Sequence, residues 1–87
     1  MHVAETDEQA RSEAEAYFIK NPSGAIARNA DDMICGGPDT VTRAMRAFAA
    51  SGMGVMICGF LIDLENPSRL RRSVRLFKEE VIPRVAA

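Results

Sequence analysis

The apolar positions change their period along the chain, and each change marks an element. After Thr6, the residues Ala10, Ala14, Tyr17 and Phe18 fall on one helical stripe, with Arg11, Glu13 and Glu15 on the water side. Thr6-Asp7-Glu8-Gln9 reads as the start of that helix. A threonine can accept from the amide three residues on, a glutamine can reach back, and the two acids favour the positive helix end. Asn21-Pro22-Ser23-Gly24 ends it, and residues 25–31 read as a loop or a single helical turn.

Met33-Ile34-Cys35 is too short for a helix and stops at Gly36-Gly37-Pro38, so it reads as a buried strand followed at once by a helix. That helix shows Val41, Ala44, Met45 and Phe48 at helical spacing and ends at Ser51-Gly52. Residues Gly54 to Phe60 are apolar on both faces, the pattern of a covered parallel strand. Asn66-Pro67 then starts a last helix with Leu70, Val74, Phe77 and Val81 as its buried stripe and Pro83 as its end. Residues 1–5 read as the tail of a strand or an extended arm. Met-Ile-Cys-Gly at 33–36 recurs at 56–59, but two matches do not make a repeat array.

The order α-β-α-β-α predicts an α/β unit with a right-handed parallel β-α-β crossover and a sheet left incomplete without a partner. Its 87 residues are enough for a single small domain, with 21–32 as a connecting loop. A domain of this size buries only about 60% of its unfolded surface, so a partner subunit would help it. Hydrophobic residues at 47%, charged residues at 26% and a net charge of -1 describe an ordinary globular protein with no global pull toward nucleic acid or anionic lipid. The longest apolar stretch, Met53 to Ile62, is far short of the roughly 20 residues that span a bilayer. The N-terminus lacks the pattern of a signal peptide. Cys35 and Cys58 lie in apolar runs. Adjacent strands could bring them close enough to bridge, but nothing else points to export, so free buried thiols and a cytoplasmic setting are expected.

Three segments resemble the luciferase-like flavin-dependent monooxygenases. They are Val3 to Glu15, the strand–helix junction Ile34-Cys35-Gly36-Gly37-Pro38-Asp39-Thr40-Val41, and Arg75 to Pro83, which looks like that family's last helix. They keep the family's order across nearly the whole chain. The resemblance implies the last quarter of a (β/α)8 barrel: the sixth helix, the seventh and eighth strands, and their helices. It also implies a flavin, FMN or the deazaflavin F420, as the family's cofactor. The chain departs from the family twice, since most of the barrel is missing and only Asn21 to Asp32 fills a segment that is usually longer. The family's main flavin contacts come from strands absent here, so no catalytic residue carries over and no cofactor is expected for the chain alone. In a completed barrel, Gly36, Gly37 and Gly59 would line the floor of the site.

Other candidate chemistry is sparse. Gly36 to Thr40 opens a helix whose amides could hold an anion, but Pro38 has no amide and Asp39 would repel a phosphate, so a tight turn is the simpler reading. His2 stands alone, near an end expected to be mobile, without a ligand or acid partner at useful spacing. No metal site is expected. Cys35 and Cys58 read as core, and Met45, Met53 and Met56 as core fillers. Arg69, Arg71, Arg72, Arg75 and Lys78 form a basic face, read as solvated surface or intersubunit ion pairing rather than as a nucleic-acid or membrane contact.

Three functions follow as expectations. The first is a truncated monooxygenase segment, inactive alone, that forms a homo-oligomer. The second is a subunit that completes a split flavin enzyme with a separately encoded barrel portion. The third is a small interaction module with no catalytic role.

Overall fold

The computed structural model describes residues 1–22, 29–52, 54–56 and 58–85. Among them the protein is mostly helical, with a small two-stranded parallel sheet. Strand β1 (His2–Val3) pairs in parallel with β2 (Cys35–Gly36), His2 opposite Cys35 and Val3 opposite Gly36. The amides of His2 and Ala4 extend the ladder to the carbonyls of Ile34 and Gly36 at 3.0 and 3.2 Å. Helix α1 (Asp7–Lys20) makes the crossover between the strands, and a 3-10 turn, Ala30–Asp32, precedes β2. Asn29 caps that turn with its side chain, inside the segment expected to be a loop.

The crossover therefore belongs to α1. It was expected around the helix after Cys35. That helix, α2 (Pro38–Ala50), leads into residues 54–56 and 58–63, which carry no regular strand. The expected strand over Gly54–Phe60 survives as a single register with β1: the Met1 amino group donates to the Gly59 carbonyl at 2.7 Å, and the Leu61 amide donates to the Met1 carbonyl at 2.9 Å. Two causes stop it there. Gly54 and Gly59 offer no side chains for cross-strand packing. The next donor along that edge of β1, the Val3 amide, is taken by the Ser73 hydroxyl at 2.8 Å. Ser73 is fully buried, so a helix closes the edge that a third strand would have used. β1 consequently lies between the other two segments, whereas consecutive strands in a barrel run side by side.

The last helix begins as α3 (Pro67–Leu76), widens into a π turn over Phe77–Val81 and resumes as α4 (Ile82–Val85). Pro83 was expected to end it. A proline inside a helix lacks a donor and crowds the carbonyl four residues back. The π turn, closed by the Ile82 amide on the Phe77 carbonyl, lies just before that proline and lets the chain stay helical. Its buried positions are Ser73, Leu76 and Val81; Val74, expected inside, is exposed.

Because paired residues share a sheet face, Val3 and Gly36 look one way, and His2 and Cys35 the other. Val3 packs with Val41, Met45, Leu76 and Val81 in the core. Ala10 and Ala14 present α1 to the sheet with no exposed surface, and such small residues let it approach closely. Helix α2 ends at Gly52, whose φ of 89° takes the left-handed turn that favours glycine.

Candidate functional site

Both strands deliver their chains to the same end of the sheet, the carboxyl end, where α1 and α2 begin. That end is where parallel α/β folds commonly place ligands. Thr6 caps α1 by accepting from the Gln9 amide at 3.1 Å, as its sequence predicts. Helix α2 has no cap of its own, since its N-cap residue is Gly37. Asp7 supplies one from the neighbouring helix. Its Oδ1 accepts from the Gly37 amide at 2.7 Å and its Oδ2 from the Thr40 hydroxyl at 2.8 Å. The anion that the start of α2 could hold is thus already present as an internal carboxylate. Those two hydrogen bonds, the Gly37 amide first, hold the Asp7 carboxyl below its ordinary range. A carboxylate so satisfied is a poor base.

Gly36 and Gly37 line this corner together. A Cβ on Gly36 would lie 2.8 Å from Asp7 Oδ1 and 2.8 Å from Thr40 Cγ2. One on Gly37 would lie 3.3 Å from the Glu5 carbonyl. Gly59 is elsewhere, beside Met1 at the start of β1, and a Cβ there would meet nothing within 4 Å. Glu5, Asp39, Arg43, Glu80 and Arg84 surround the corner in an open polar depression of about 340 Å³. Arg84 Nη2 is bound to Asp39 at 2.8 Å, and the Arg84 carbonyl accepts from Arg46 Nε and Nη2 at 3.1 and 2.7 Å.

A second cluster gathers residues that sequence reasoning kept apart. His2 is only 3% exposed, and its Nε2 lies 2.8 Å from Glu13 Oε1. The same oxygen accepts from Arg72, and Arg69 Nε lies 3.5 Å from Glu13 Oε2. Arg69 also reaches Asp63 at 3.8 Å. Three expectations are corrected here. His2 has an acid partner. Glu13 faces inward. Two members of the basic face, Arg69 and Arg72, turn from solvent toward that acid, while Arg75 pairs with Glu79 at 3.7 Å on the exposed side. Burial alone would push the Glu13 carboxyl up, but the hydrogen bonds from Arg72 and His2 and their charges hold it below its ordinary range. The carboxylate can only accept, so His2 Nε2 carries the hydrogen, and Nδ1 is left buried without a hydrogen-bond partner. A depression of about 530 Å³ reaches the outer side of this cluster through Asp63 and Arg69. The cluster ties β1, α1 and α3 together.

The one signal that could have found it is positional. Ala10, Glu13, Ala14 and Tyr17 share the i, i+3, i+4, i+7 stripe of α1, and the charge of Glu13 hid its place there. Cys35 and Cys58 are free and partly buried. Burial pushes the Cys35 thiol up, away from the thiolate. Among the described residues, no group of three or more His, Cys, Asp or Glu side chains could hold a metal, and no helix is long and apolar enough to cross a membrane.

The carboxylates set a pH dependence. Asp7 and Asp63 lie below an ordinary 3.8, and Glu13 below an ordinary 4.5. Groups depressed on folding contribute stability that is present above their unfolded values and lost as pH falls through the folded ones. The urea midpoint is therefore expected to hold steady from neutral pH to about pH 5 and to fall below it. Equilibrium melts at intervals across this range check it.

A comparison with protein-family models, curated proteins and solved structures finds no match.

Proposed function

We propose that the chain is a non-catalytic strand–helix unit that works by assembling with copies of itself, and that it derives from the C-terminal segment of a luciferase-like monooxygenase. One observation carries the assembly. Among the described residues, the large apolar side chains left exposed are Ile19, Phe48, Val55, Met56, Ile62, Leu64, Val74 and Ile82, whereas those buried are Val3, Val41, Met45, Leu76 and Val81. A folded unit with more such side chains outside than inside has surface to bury against another chain. The derivation rests on the three motifs and their order. The placement of β1 in the middle fits a unit closed on itself rather than a stretch of barrel sheet.

The corner at Gly36 and Gly37 would be the relic of the barrel's site. Its anion position is filled by Asp7, which favours the non-catalytic reading over a split flavin enzyme. Light scattering from micromolar to millimolar concentration is expected to show a mass above 9.5 kDa that rises to a plateau. Titration with FMN, oxidised and reduced, is expected to release no binding heat. A monomer at every concentration overturns the assembly, and saturable FMN binding overturns the non-catalytic assignment.

A further inference from the structure

The exposed apolar side chains are not spread evenly. Met45, Phe48 and Ala49 of α2, Phe77 of the π turn, Ile82 and Val85 of α4, and the extended residues Gly54 and Met56 enclose an open apolar cleft of about 250 Å³. Phe48 and Met56 are each 38% exposed at its mouth and Ile82 is 48% exposed. Between the two lining residues Gly54 and Met56 stands Val55, 86% exposed and turned outward. A protruding aliphatic side chain and an apolar hole therefore lie side by side on one surface.

We infer that this surface binds a second copy of the chain about a two-fold axis, each copy placing Val55 in the other's cleft. The inference rests on the assembling unit proposed above and names its contact. A two-fold interface requires a patch that complements itself, and adjacent knob and hole meet that requirement. The chemistry of the patch agrees. From Ala47 to Met56 the sequence has no charged residue, although 26% of the chain is charged. Ala47, Ala49 and Ala50 are exposed small residues that let backbones approach. Phenylalanine and methionine in an uncharged centre are the composition of interface cores.

The other exposed apolar group, Ile62 and Leu64, lines a depression of about 530 Å³ whose walls carry the charged Lys20, Asp63, Glu65 and Arg69.

The test is the mass of the full chain by light scattering for the wild type, Val55→Asp and Leu64→Asp, with circular dichroism to confirm the fold. Both positions are more than four-fifths exposed, so neither change disturbs the core. The expected result is a wild-type dimer, a Val55→Asp dissociation constant raised at least tenfold, and an unchanged Leu64→Asp dimer. A Val55→Asp dimer as tight as the wild type, or a dimer lost only with Leu64→Asp, overturns this contact and leaves self-association standing. A higher oligomer that loses its first step with Val55→Asp supports the contact. A wild-type monomer overturns both, and so does assembly seen only with a different protein.

Discussion

Glu13→Ala is expected to lower stability by about 2–4 kcal/mol, an effect on the scale of truncating a buried core side chain. Breaking a buried ion pair by deleting one partner costs about 3–5 kcal/mol, because the other charge stays buried and unpaired. Glu13 has 11% of its side chain exposed, Arg72 19% and Arg69 32%, so the cluster is partly wet and the range is shifted down. The change strands the Arg72 guanidinium and the His2 imidazole at once and leaves Arg69 with Asp63 alone. The anchor of α3 to α1 is lost with them, which loosens the Ser73 bond that closes the β1 edge. Folded domains have only about 5–15 kcal/mol in total, and one this small lies near the bottom of that range. Urea titration at neutral pH should move the midpoint far down or leave no folded baseline. Arg72→Met keeps the stem packed and removes one charge, so the acid retains His2 and Arg69, and a smaller loss is expected. Equal losses for the two variants would mean that packing, rather than the charge cluster, holds these elements together.

The helices were legible because their signals are local. The Thr6 cap, Pro38 and Pro67 at helix starts, and Gly52 at the end of α2 each act within one turn, and the structure places all of them as expected. The sheet was not legible, because its signal is a competition. Gly54 to Phe60 has the right hydrophobicity for a strand, and β1 has only a His-Val pair. The pair wins because Gly36 lets α2 begin directly behind it and because Ser73 claims the remaining edge. Ser73 falls on the apolar stripe with Leu70, Leu76 and Phe77, but periodicity cannot say that its hydroxyl claims the edge of a strand 70 residues away. The same blindness hid the His2–Glu13–Arg72 cluster. A charged residue on an apolar stripe reads as a slip of the pattern until its partner, 59 residues away, is placed beside it. At the Gly36–Gly37 corner the sequence showed a helix start able to hold an anion, and what it could not show was that Asp7, 30 residues earlier, fills it.

Gly36→Ala is the second substitution with a large expected effect, about 2–3 kcal/mol of lost stability by comparison with overpacked cores. The added methyl would lie 2.8 Å from Asp7 Oδ1, 2.8 Å from Thr40 Cγ2 and 2.9 Å from Thr40 Cβ. None of the three is the far end of a long side chain that can swing away. Thr40 is fixed by the first turn of α2, and Asp7 by its own bonds to Gly37 and Thr40. The methyl therefore either breaks the cap of α2 or pushes the helix from the strand it follows. Loss of a cap alone costs about 0.5–2 kcal/mol, so Asp7→Ala should be the milder change. The two changes are not expected to add. With Asp7 and Thr40 both replaced by alanine, Asp7 Oδ1 and Thr40 Cγ2 are gone and only the Cβ at position 40 still crowds the methyl, so Gly36→Ala in that background should cost less than it does in the wild type. Urea melts of the four proteins form the cycle. Full additivity would show that Gly36 is required for a backbone reason unrelated to the Asp7–Thr40 contact. A strong coupling would assign Gly36 to the internal cap that Asp7 gives α2.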